Sequence, residues 1–135
     1  MKNTQTEKGL KELFFANSED HLLLLFSAQK LKEDNRVEDA KDIEEKALVE
    51  LGHAKGILEK LIKYLGLEEV WKWYNELSRE ETKDIKEKFR IVATQYLLSK
   101  LLSEKITDKR SELENTAKEK FEEAKKLYEQ ILEAI

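Results

Sequence analysis

The chain has 135 residues, a length that buries one continuous core and sets a single domain over 1–135. Charged and apolar residues each make up 40%, and 25 Lys and Arg are interleaved with 29 Asp and Glu to a net charge of −4, which argues against nucleic acid as a partner. There is no cysteine, so disulfides, thiolate metal sites and cysteine nucleophiles are excluded.

A sequence rich in Leu, Glu, Lys and Ala, with no Pro and four Gly, favours long helices with little to interrupt them. The fold class is all-α. The longest apolar run, "LLLLF" at 22–26, is too short to span a bilayer, and the first residues show no signal-like apolar segment. A cytoplasmic protein with no membrane association is the expectation.

Residues 4–16 form a short amphipathic helix with Leu10, Leu13 and Phe14 on one side. Asn17 or Ser18 can cap a separate helix A over 18–33, whose stripe is Leu24, Ala28 and Leu31. "EDNR" turns the chain, and Asn35 with Glu38 makes a capping-box pattern for helix B, which runs to about 65. Its stripe is Ala40, Ile43, Ala47, Ala54, Ile57, Leu61 and Leu65, and Gly66 is placed to end it. The connection 66–79 carries a small aromatic helix, and Trp71, Trp73 and Tyr74 are read as closing one end of the structure. Ser78 with Glu81 is a second capping box, opening helix C to about 105 with Ile85, Phe89, Val92 and Tyr96 inward. "ITDKR" turns into helix D, which continues to the C-terminus through Leu113, Ala117, Phe121, Ala124, Tyr128 and Ile131.

Short A–B and C–D turns make two antiparallel hairpins, and a long connection between them describes a four-helix bundle of the ferritin-like kind. An up-down-up-down bundle capped by the aromatic helix is the other layout. Helix A is apolar on nearly every side, which calls for cover from the N-terminal helix or for a homodimer contact.

Within "EEKALVELGHAKGILEKL" (44–61), Glu50 falls in the apolar stripe of helix B, and His53 lies about 60° further round, at its edge. A buried carboxylate requires a partner, a proton or a metal. Folding A back on B about residue 35 sets Asp20 level with Glu50, so that Asp20, His21, Glu50 and His53 share one layer of the hairpin, while Glu19 points to the other side. His21, beside the leucine run, reads as a packing or capping residue, and Asp20 also suits the acidic first turn of a helix.

This first hairpin resembles that of rubrerythrin-type ferritin-like proteins, and "EEKALVELGHAKGILEKL" looks like their second-helix Glu-x-x-His segment. The resemblance implies that Glu50 and His53 are metal ligands, with Asp20 where the family has a first-helix Glu. Oxygen and imidazole donors suit iron or manganese and permit redox or metal-handling chemistry. Helices C and D carry no histidine and no inward carboxylate at mid-height, so half a site, a site completed by a second chain, or a vestige is expected. The alternative is a metal-free interaction or oligomerisation module, binding a second copy or another protein, in which Glu50, His53 and Asp20 form a polar network. No catalytic residue is assigned.

Overall fold

The computed structural model describes residues 4–134, which form five α-helices and no strand. The helices are α1 (Gln5–Glu33), α2 (Val37–Leu65), α3 (Leu67–Leu77), α4 (Ile85–Ser103) and α5 (Arg110–Glu133), with one 3-10 turn at Thr107–Lys109. α1 packs along α2 and α4 along α5, and the two hairpins meet mainly through α1 and α4.

The N-terminal segment is not a separate helix. Thr4 accepts from the Glu7 amide at 3.1 Å and starts α1, which then runs unbroken through Asn17 and Ser18. Ser18 caps nothing; it is buried, and its hydroxyl donates to the Phe14 carbonyl one turn back at 2.7 Å. Residues 5–16, continuous with helix A, cannot fold over it, so they do not supply the expected cover.

The first turn lies where the sequence places it, but Asn35 has the opposite role. It adopts φ 63°, in the left-handed region that Asn tolerates, and closes the end of α1. Its amide donates to Lys32 O at 3.0 Å and the Arg36 amide to Leu31 O at 2.8 Å, the pair of bonds of a Schellman end. Gly66, at φ 88° and ψ 152°, ends α2 in a region essentially open to glycine alone, and α3 follows at once. The Ser78–Glu81 capping box does not form. Asp84 instead opens α4, accepting from the amides of Lys86 at 3.0 Å and Glu87 at 3.3 Å.

The core is aromatic at its centre. Phe26 meets Phe89, Phe121 and Tyr128 with centroids 5.3–6.4 Å apart, joining α1 to both α4 and α5. Phe14 and Phe26 turn α1 so that Leu22 is buried while Leu24 and Leu31 stay partly exposed, a rotation away from the expected stripe. Periodicity could not choose a side on a helix apolar all round; the large rings did. α2 keeps Ala40, Ala47, Ala54 and Leu61 buried as read, and α5 keeps Leu113, Ala117, Ala124 and Tyr128. Trp73 is buried edge-on against Phe14 and Phe15 at 5.8 and 6.1 Å, and Trp71 stacks on Tyr74 at 5.2 Å, so the aromatic residues of α3 pack onto α1 and onto one another. α4 is buried on nearly every side, its polar Thr94 and Ser99 satisfied by carbonyls of their own helix.

Candidate functional site

The level match between α1 and α2 is present. Asp20 and Glu50 line one shallow groove of about 460 Å³ on the outer side of the first hairpin, together with Leu23, Leu24, Lys46 and Val49. What lies in the layer differs from the expectation. Glu50 sits at the margin of the core with 22% of its side chain exposed, and His53 is outside it at 60%. Their Oε1 and Nδ1 atoms are 3.4 Å apart, an i,i+3 contact on the helix surface. Asp20 is exposed.

The buried imidazole is His21, 4% exposed. Its Nδ1 lies 2.7 Å from the Ala47 carbonyl oxygen, which can only accept, so Nδ1 carries the proton. Burial holds the His21 pKa below the ordinary histidine value; the bond to Ala47 opposes that, Lys100 reinforces it, and Glu50 opposes it. A neutral imidazole here pins α1 to α2 at one register.

Among the described residues, no three His, Cys, Asp or Glu side chains come together in a group that could hold a metal ion. Glu50 and His53 supply one carboxylate and one imidazole, which falls short of the carboxylate-rich set of a two-metal bundle site. The residues present do not fit a dinuclear centre.

A second polar group, on the other side of α1, was not singled out in the sequence. Arg90 of α4 places Nη2 at 3.1 Å from Glu12 Oε2 and Nη1 at 4.0 Å from Glu19 Oε1, with its guanidinium 5.6 Å from the centre of the Phe15 ring. Burial raises the Glu19 pKa, Arg90 opposes that, and Asp20 adds to it. The available signal was Glu12 and Glu19 seven residues apart on one helical face, beside an arginine that faces them only through the tertiary fold. These contacts tie α4 to α1.

The remaining feature of the first hairpin is apolar. Val49 is 55% exposed and Leu48 64% on α2, and Leu13 is 50% exposed on α1. Gly52 and Gly56 are exposed in mid-helix, and a Cβ at either would meet nothing within 4 Å. Each glycine costs a helix interior about 1 kcal/mol relative to alanine, and no packing inside the chain requires one here. No family model, curated protein or solved structure matches this chain.

Proposed function

We propose that this chain is a helical interaction module whose docking face is the outer surface of the α1–α2 hairpin, and that its partner is a second copy. The observation that carries this reading is the apolar groove lined by the partly buried Leu23 and Leu24 and by Val49, which is exposed. Because α1 is one helix from residue 5 to 33, residues 5–16 do not fold back over the groove. The rim carries Asp20 and Glu50 beside Lys46, both signs, which suits a surface that meets its own copy. Light scattering over a range of concentrations tests the reading. Wild type is expected to shift with concentration from 15.9 kDa toward twice that mass, and Leu24→Glu to remain a monomer. A wild-type mass that stays at the monomer value throughout overturns it.

A second reading keeps the fold as a ferritin-like bundle, with iron or manganese handled through Glu50 and His53 and assisted by Asp20. The 3.4 Å contact between the first two and the groove shared by Glu50 and Asp20 support it. Two donors leave most of a coordination sphere to water, so binding is expected to be weak. Titration of wild type and Glu50→Ala with ferrous iron under anaerobic conditions, read by metal retained after desalting, decides it. Equal retention by the two proteins removes this reading.

A further inference from the structure

The solvent side of α2 has an order that α2 itself does not explain. One line of positions, three and four residues apart, begins with Asp42 and Glu45 and ends with Lys60 and Lys63. Between them stand Val49, Gly52 and Gly56, and every member of the line is exposed. Charges beside this line find partners within the chain, Glu44 with Lys32 at 3.0 Å and Glu59 with Lys105 at 2.6 Å. Glu38, one turn before Asp42 on the same line, pairs with Lys41 at 3.6 Å. Asp42, Glu45, Lys60 and Lys63 form no such pair among the described residues. The helix macrodipole favours acids early and bases late, but only within the first and last turns; Glu45 and Lys60 lie beyond that reach.

A line that is acidic at one end, small in the middle and basic at the other is complementary to its own reverse. We propose that α2 pairs antiparallel with α2 of a second copy about a two-fold axis passing between Gly52 and His53. In that register Asp42 faces Lys63 of the second copy and Glu45 faces Lys60, each contact occurring twice. Val49 faces Gly56 of the second copy, where the missing side chains let the two backbones approach closely. A parallel pairing would set acid against acid and base against base along the same line. This proposal rests on the self-docking reading and fixes its register and polarity.

Charge exchange tests it. The variant Asp42→Lys/Glu45→Lys has a wholly basic line, and Lys60→Glu/Lys63→Glu a wholly acidic one. All four positions are exposed, and circular dichroism verifies that the helices remain. Each double variant alone is expected to bind its own copy at least about tenfold more weakly than wild type, from like charges placed opposite one another. An equimolar mixture of the two is expected to form a heterodimer, since every pairing across the axis is then attractive. If both variants dimerise as wild type does while Leu24→Glu is monomeric, the register is wrong and self-docking stands. If wild type itself is monomeric, both fall.

Discussion

His21 of α1 donates its Nδ1 proton to the carbonyl oxygen of Ala47 on α2, 2.7 Å away and out of contact with water. The bond sets the height of one helix against the other, and with it the positions of Asp20 and Glu50 on the groove. Because burial holds the His21 pKa below its unfolded value, the folded chain binds fewer protons than the unfolded chain between the two values. Stability is therefore complete above the unfolded value of about 6.5 and is lost as pH falls below it, toward the lower folded value. Urea midpoints measured from pH 8 down to pH 5 are expected to fall for wild type and to fall less for His21→Gln. Equal slopes for the two proteins would show that His21 carries none of the dependence.

Gly52 and Gly56 separate the stability of the single chain from its association. At concentrations where the monomer dominates, Gly52→Ala and Gly56→Ala are each expected to raise unfolding free energy by about 1 kcal/mol, because alanine restricts the unfolded chain and meets no clash. The same substitutions are expected to weaken self-association by filling the gap between backbones. Thermal melts at low concentration and light scattering at high concentration read the two effects in opposite directions.

Asp84 caps the most buried helix of the structure by accepting from two amides. Asp84→Ala is expected to cost about 1 kcal/mol, and Asp84→Asn much less, since the amide oxygen still accepts. Guanidinium denaturation of the three proteins measures it.

Ser18 makes the contrasting case. Its hydroxyl donates to a carbonyl already bonded within α1, so Ser18→Ala strands no partner and is expected to change stability by less than about 1 kcal/mol. A loss as large as that of Asp84→Ala would mean that α1 starts anew at residue 18. Hydrogen exchange at residues 16–19, expected to be slow throughout, gives an independent reading.

The comparison of Ser18 with Asp84 also shows which part of the fold the sequence carries. Hydrophobic period locates helices because burial of a face is a property of many residues, and the buried alanines of α2 and the core of α5 follow from it. Helix ends depend on one or two residues whose side chains can bond forward to amides or back to carbonyls. Ser18, Asn35 and Ser78 each matched a cap pattern, yet one sits in mid-helix, one ends a helix by adopting φ 63°, and one follows the end of α3. The height of Asp20 against Glu50 was legible, since it needs only the position of the turn. Which histidine is buried depends on how α1 rotates about its axis, and Phe14 and Phe26 decide that through contacts with α3, α4 and α5.

α4 yields one more consequence. With Phe89, Leu97, Leu98 and Leu102 all withdrawn from water, and the hydroxyls of Thr94 and Ser99 turned onto its own backbone, it offers solvent little beyond its first turn and Lys100. During synthesis the α1–α2 hairpin and α3 precede it, and the side of α1 that carries Phe26 waits for its cover until α4 and then Phe121 and Tyr128 of α5 emerge. In that interval the chain shows water an apolar surface that the finished fold hides, the kind of surface through which folding intermediates aggregate.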